Sequence, residues 1–386
     1  MKKLLFVIDS LSGGGAEQVI CTLANEAKIQ GHAVDVLLTF TNTVKYELNE
    51  GVGLFDIYGK EIPHTKTETV QKSKTSQSHE NESHKDGLIR KIRAKISEFR
   101  DVKRRVKLLQ HFVNQNNYDG VISFLTNSNE LVGRAAKYLN AKTIVSERAS
   151  PQATIMLQKS SRQIYSLYKN VDWVVFQTEE AKRYYPAKIQ KKGFIIPNPI
   201  KKDLPEPYVG ERGKEIVGFG RLIECKNWPM LIEAFSKVHK LHSEYKLKIY
   251  GDGVLREELI ELIEHLHLSE YVDICEFQTD IHEKVKKASI YVSSSNYEGI
   301  SNSMLEAMAI GLPCVCTDCP VGGAKMFIKN DINGILVPVG DVEVLANALI
   351  RIIENESHAH SLGAEAIKIR EKLSADAILK QWIKLL

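Results

Sequence analysis

Short apolar runs recur along the chain, each ending in glycine or polar residues and each followed by helical spacing. Leu4–Ile8, Ala33–Phe40, Gly120–Phe124, Thr143–Ser146, Trp173–Phe176 and Phe194–Ile196 read as buried strands in the first half. Glu215–Phe219, Lys246–Tyr250, Asp273–Glu276, Ile290–Ser294 and Cys314–Thr317 repeat the pattern in the second half. The intervening helices include Ala16–Gln30, closed by Gly31, and Met230–Leu241 and Leu255–His267. Strands that alternate with helices predict an α/β protein. The proline-dense segment Pro197–Pro207 separates the two series. The pattern predicts two domains of nearly equal size, 1–198 and 205–370, facing each other across a cleft.

Two stretches leave the pattern. Residues 62–86 are rich in Ser, Thr, His, Lys and Glu, and from Pro63 to Asp86 the only aliphatic residue is Val70. Such a segment cannot bury enough surface to order itself and is expected to be a flexible loop. Residues 88–113 then place Leu88, Ile92, Ile96, Phe99, Val102, Val106, Leu109 and Val113 on one helical stripe. Ten Lys or Arg against three acids lie between Lys85 and Lys107. A basic amphipathic helix beside a flexible loop suits an anionic membrane surface. A core helix with a solvated basic face suits the same pattern.

Composition narrows the class. A chain of 386 residues with 43% hydrophobic and 26% charged residues is an ordinary globular one, long enough for two cores. A net charge of +4 does not by itself imply nucleic acid, and none is expected as a partner. No stretch approaches the roughly 18 apolar residues of a spanning helix. The opening Met1–Asp9 breaks at Asp9 with no export-like cleavage site after it, so it reads as a first strand of a cytosolic protein. Of the six cysteines, Cys314, Cys316 and Cys319 cluster without a fourth ligand for zinc, and they read as reduced core residues.

The candidate chemistry lies at strand ends and helix starts. Glu298 closes the loop after Ile290–Ser294, and Glu306 falls in the first turns of a helix over Met304–Ile310, stopped by Gly311 and Pro313. Ser301, Asn302 and Ser303 are candidate N-caps there, and the helix start offers free N–H groups to an anion. Ser303 and Glu306 also have the spacing of a capping box, which would explain Glu306 with no ligand. Gly218-Phe-Gly-Arg221 ends another strand, and Lys226 follows in the same loop, with Glu224 the only obvious acid nearby. Two such cations suit a diphosphate, at about 1.5–3 kcal/mol per charge-assisted hydrogen bond. A solvated loop with a surface ion pair would contribute at most about 1 kcal/mol. Gly13-Gly14-Gly15 after the first strand suits a phosphate, and equally a tight strand-to-helix turn. The glycines of Tyr250-Gly-Asp-Gly253 serve a turn or a ligand alike.

Taken together, Gly13-Gly14-Gly15-Ala-Glu17, Gly218-Phe-Gly-Arg221 with Lys226, Tyr250-Gly-Asp-Gly253, Glu298-x7-Glu306 and Asn333-Gly-Ile-Leu-Val-Pro338 resemble the retaining glycosyltransferases of family 4. The resemblance covers nearly the whole chain, and its most specific part is the acid pair. It implies a GT-B fold, with two Rossmann-like domains and a last helix, within 371–386, that crosses back onto the first. It implies a nucleotide-sugar donor, in its commonest form a UDP-sugar, and neither a metal nor another cofactor. By the same resemblance Arg221 and Lys226 would hold the diphosphate, and Gly14 and Gly15 would add N–H groups from the first domain. Glu306 would bind the ribose and Glu298 the transferred sugar, with Ser301 and Asn302 offering further donors and Phe277 lying by the base. Arg148 and Asn127 fall on the acceptor side. Gly323-Ala-Lys325 and Trp382-Ile-Lys are similar to members that extend lipid-linked or surface polysaccharides, which implies a glycan acceptor and a place at the inner face of the membrane.

Some positions depart from the family pattern. Arg148 stands where many relatives carry His, Glu276 where Gly is common, and Met326 where an acid is frequent. A GT-B sugar-nucleotide epimerase and a non-catalytic nucleotide-sugar binder remain as rival readings. The first would need acid/base groups around the cleft and no acceptor site, and the second has no evident use for both Glu298 and Glu306.

Overall fold

The computed structural model describes residues 1–64, 84–148 and 160–386, without the side chains of residues 84–96 and 98. Most of the expected flexible loop, residues 65–83, lies outside the described residues. The first sheet contains β1 (Lys3–Ile8), β2 (Ala33–Leu38), β3 (Gly53–Asp56), β4 (Gly120–Phe124), β5 (Lys142–Glu147), β6 (Trp173–Phe176) and β7 (Gly193–Ile195), in the order β3-β2-β1-β4-β5-β6-β7. The second contains β8 (Glu215–Phe219), β9 (Lys246–Tyr250), β10 (Val272–Cys275), β11 (Ile290–Ser293), β12 (Cys314–Thr317) and β13 (Ile335–Val337), in the order β10-β9-β8-β11-β12-β13. Every pairing between these strands is parallel. Continuous apolar runs such as Leu4–Ile8, fully buried, are what a parallel sheet covered on both faces requires. Two short edge strands, β3 and β13, lie outside the apolar runs of the sequence pattern.

Strand order locates the crevices. In the first sheet the chain runs outward from β1 to β3, then returns to place β4 against the other side of β1. The second sheet does the same at β8 and β11. Loops that leave such neighbouring strands at their carboxyl ends diverge to opposite faces and open a crevice between them. The glycine loop follows β1, the Arg221–Lys226 loop follows β8, and the Glu298 loop follows β11. The three therefore stand at the two switch points, on the facing edges of the sheets.

The chain passes between the domains twice. Ile200 bridges to Ser374, and its N–H donates to the Leu373 carbonyl at 2.8 Å. The C-terminal helix, Ala375–Ile383, then packs on the first domain. Trp382 is fully buried and stacks on Phe124 at 5.5 Å, while the Trp173 indole donates to the Leu385 carbonyl at 2.9 Å.

The basic stripe forms one helix, His84–Asn116. Leu109, Phe112 and Val113 are buried in the first domain and Val102 and Val106 pack against them, but Phe99 is 62% exposed. Among its described side chains, contact with the core begins at Val102. Lys3 holds its end through the Asn116 carbonyl near the amino edge of the sheet, and Arg105 donates to the Thr39 carbonyl just past the carboxyl end of β2. Phe99 lies beyond that point and meets no core. Among the described residues, no helix is long and apolar enough to cross a membrane. Cys21, Cys314, Cys316 and Cys319 are buried and free, as expected of core thiols, and Cys225 and Cys275 are half-buried.

Candidate active site

Glycine sets how closely the second-domain loops approach. A Cβ on Gly251 would lie 1.9 Å from the Gly220 carbonyl oxygen, and one on Gly253 would lie 2.2 Å from that of Leu222. The glycines of Tyr250-Gly-Asp-Gly253 thus let the loop after β9 press against the loop after β8. On the other flank a Cβ on Gly323 would lie 1.6 Å from the Gly299 carbonyl oxygen. Neither approach leaves room for a side chain.

Lys226 does not stand free beside Glu224. Its ammonium pairs with both oxygens of Glu298, each at 2.7 Å, and Ser295 adds a hydroxyl to Glu298 at 3.1 Å. The two loops are tied together by Asn296 N–H to the Cys225 carbonyl at 2.8 Å and by Ser294 Oγ to the Lys226 carbonyl at 2.9 Å. Asn227 adopts φ 46°, caps the helix Trp228–Leu241 and donates to Asn296 at 2.8 Å. Arg221 is exposed, and among the described residues no acid pairs with it. One cation of the expected pair is thus free and the other already neutralised by the first acid.

Glu306 is 7% exposed and does not belong to a capping box. Ser301, not Ser303, caps the helix Asn302–Ala309 by accepting the Met304 N–H at 3.3 Å. The Glu306 carboxylate instead accepts from Gln18 of the first domain at 2.7 Å and meets His282 Nε2 at 2.9 Å. His282 is itself buried, with Phe219 edge-on at 5.8 Å. Neither Gln18 nor His282 carries a local signal in the sequence, since each meets Glu306 from a separate element, 288 and 24 residues away.

The first-domain loop turns its N–H groups inward. Gly13 and Gly14 donate to the buried Glu17 carboxylate at 2.6 and 2.5 Å, and Ser10 adds a hydroxyl at 2.8 Å. The Gly14 N–H, expected to face a donor phosphate, is therefore engaged by this chain's own carboxylate. The Gly15 carbonyl faces the other domain and accepts from the Asn302 amide at 3.1 Å. Glu17 also contributes, after burial, to raising the Tyr46 hydroxyl above its usual range. Phe277 is 66% exposed. Asn127 donates to Asp9 at 2.9 Å, at the carboxyl end of β1. Arg148 is held by Ser146 at 2.7 Å and by Asn198 at 2.5 Å. Further contacts across the cleft join Gln177 to the Ile300 N–H at 3.4 Å and Thr178 to the Val321 carbonyl at 2.7 Å.

The structure thus brings Glu298, Lys226, Ser301, Asn302, Glu306 and Gly15 to one line where the domains meet. Chemically it offers two carboxylates with distinct partners, an exposed guanidinium and a helix start. Such a set can hold a polar, anionic ligand and its hydroxyl groups.

Residues 201–369 match the family of group 1 glycosyl transferases. An exopolysaccharide phosphotransferase of Streptomyces coelicolor is 33% identical over 56% of this chain and 23% of its own length. The chain spans between 23% and 39% of the length of the first three curated relatives that it matches. The N-acetylgalactosamine-N,N'-diacetylbacillosaminyl-diphospho-undecaprenol 4-alpha-N-acetylgalactosaminyltransferase of Campylobacter jejuni is 26% identical over 92% of this chain and 91% of that one. Among solved structures, HepE of Anabaena in complex with UDP and glucose superposes with a TM-score of 0.74. The match covers 100% of this chain and 99% of that one at 16% identity. Over residues 201–369 the chain is thus similar to group 1 glycosyl transferases, and the two domains together have the GT-B fold.

Proposed function

We propose that the chain is a retaining glycosyltransferase of family 4 that moves a sugar from a UDP-sugar to a hydroxyl of a lipid-linked or polymeric bacterial glycan. The observation that carries the reading is the pair Glu298 and Glu306. Glu298 sits in the loop after β11 and Glu306 on the helix that follows, one held by Lys226 and the other by Gln18 and His282. In this reading Glu306 keeps His282 and exchanges Gln18 for the ribose hydroxyls. Glu298 holds Lys226 in place and meets the transferred sugar. Arg221, Lys226 and the helix start at Ser301 and Asn302 stabilise the charge that grows on the leaving diphosphate as the glycosidic bond breaks, so no metal is needed for that task. Phe277 lies over the base, and Asn127 with Arg148 lines the acceptor side. The relative named for a diphospho-undecaprenol-linked glycan and the solved UDP complex support the acceptor and donor classes.

The long helix supplies the membrane side of the proposal. Arg100, Lys103, Arg104, Lys107 and His111 line one shallow groove on it, and exposed Phe99 lies on the same end. Each basic residue near an anionic surface contributes about 1 kcal/mol, so four or five together give useful binding.

The test is product analysis with a panel of UDP-sugars and a lipid-linked acceptor, with and without chelator. Transfer with retained anomeric configuration is the expected result, unchanged by chelator. An epimerised free nucleotide sugar without transfer would overturn the reading, and loss of transfer with chelator would overturn the metal-free mechanism.

A further inference from the structure

The Arg148 guanidinium is buried, and among the described residues no acid faces it. Its Nε donates to Ser146 Oγ at 2.7 Å and Nη1 to Asn198 Oδ1 at 2.5 Å, while Nη2 has no partner among the described residues. The Phe124 and Trp382 rings lie 4.7 and 5.5 Å from it. Burial with no compensating acid lowers its proton affinity.

A guanidinium can only donate, so the Asn198 atom it meets must be the carbonyl oxygen. The Asn198 amide N–H therefore points the other way, to Asn302 Oδ1 at 2.6 Å. That contact fixes the Asn302 amide in turn, whose Nδ2 donates to the Gly15 carbonyl at 3.1 Å. A carbonyl can only accept, so the chain of bonds is locked in direction at both ends. No amide along it can turn over without breaking a bond. Bonds aligned head to tail also polarise one another. Gln177 supports the middle, donating to Asn198 Oδ1 at 3.1 Å.

The path crosses the cleft and returns. It runs from Arg148 in the first domain, through Asn198 in the connecting segment, to Asn302 at the second-domain helix start. From there it comes back to Gly15 in the first-domain loop. We infer that Arg148 and Asn198 are positioning residues whose directional amide relay sets the closed register of the glycine loop against the helix start. Closure itself stands apart from the transferase reading, and only the effect on donor binding rests on it.

Asn198→Asp separates positioning from packing. It keeps the size of the side chain, preserves an acceptor for Arg148 and gives that cation a counter-charge. It also places an oxygen against Asn302 Oδ1. Asn302→Asp breaks the relay at its far end, since the new carboxylate cannot donate to Gly15 and the bonds to Arg148 are untouched. Small-angle scattering of the protein without substrate should show a larger radius of gyration in both variants. The Asn198→Asp melting temperature should stay within about 3 °C of the unaltered protein. Either variant remaining as compact as the unaltered protein, or an unaltered protein that is itself open, would overturn the relay. UDP affinity should fall by about tenfold or more in both variants. An open cleft with unchanged UDP affinity would leave the relay standing and remove the donor-site reading instead.

Discussion

Glu147 and Arg148 are neighbours on the chain and have no common surroundings. Glu147 is buried against Tyr168, Tyr185 and Asn129, while Arg148 lies between Phe124 and Trp382. Burial raises the Glu147 carboxyl above the ordinary carboxylate range despite its hydroxyl partners. The folded protein therefore holds that proton more tightly than the unfolded chain does. The resulting stability is full below the ordinary carboxylate pKa and is lost as pH rises toward the folded value. Glu147→Gln should accordingly flatten the fall in melting temperature as pH rises above the ordinary carboxylate range, and an equal slope in both proteins would refute the assignment. The cation pair calls for a different contrast. Arg221→Ala removes an exposed, unpaired group, so kcat should drop by more than about tenfold with no change in melting. Lys226→Ala leaves Glu298 half-buried and unpaired, so it should lower kcat similarly and also destabilise by about 1–3 kcal/mol. Both kinetics and calorimetry are needed to tell the two cases apart. Of these residues the acids and cations are legible as motif positions. Their partners Gln18, His282 and Asn198 are not: Gln18 and Asn198 meet them from outside the second domain, and His282 sits on a separate short helix that only the fold brings beside Glu306.

Among the elements, the strands that carry loops to the cleft are legible because they are buried on both faces and read as plain apolar runs. β3 escapes because Gly-Leu-Phe-Asp holds only two apolar residues between a glycine and an acid, and β13 because Ile-Leu-Val lies inside the Asn333–Pro338 motif, between turn residues. Glycine is legible as punctuation only. That Gly251 and Gly323 face neighbouring carbonyl oxygens, and not a ligand, depends on which loops the topology brings together. Gly251→Ala should therefore lower the melting temperature sharply by forcing apart the loops after β8 and β9, whether or not donor is present. A melting temperature unchanged by that substitution would contradict the close approach. The long helix divides at about Val102: from there onward its stripe is core, and before it Phe99 is bare. The periodicity alone cannot reveal that division, since it says which face is apolar and not how far the domain extends. Reversing Arg100, Lys103, Arg104 and Lys107 to Glu should abolish sedimentation with anionic vesicles and leave melting within about 3 °C, because these cations lie on the outer face. No sedimentation by the unaltered protein would end the membrane proposal.

At the level of the whole molecule, the two domains share a boundary that is crossed twice by the chain and several times by side chains. The C-terminal helix is one of these ties, since Trp382 is wholly buried, stacked on Phe124 and beside the Arg148 guanidinium. Trp382→Ala should cost about 3–5 kcal/mol, and the loss should appear as earlier melting of the first domain by hydrogen exchange at β4 and β5. Loss confined to the second domain would mean that the helix only tethers. The same tie orders events while the protein is being made. Domains generally fold as units, amino-terminal first, as the chain leaves the ribosome. Here the first domain emerges with its strands complete and without the Trp382 ring that stacks on Phe124 in the finished fold. It waits through the synthesis of the entire second domain for Trp382 to arrive, and until then it is an unfinished surface that must be kept from other chains.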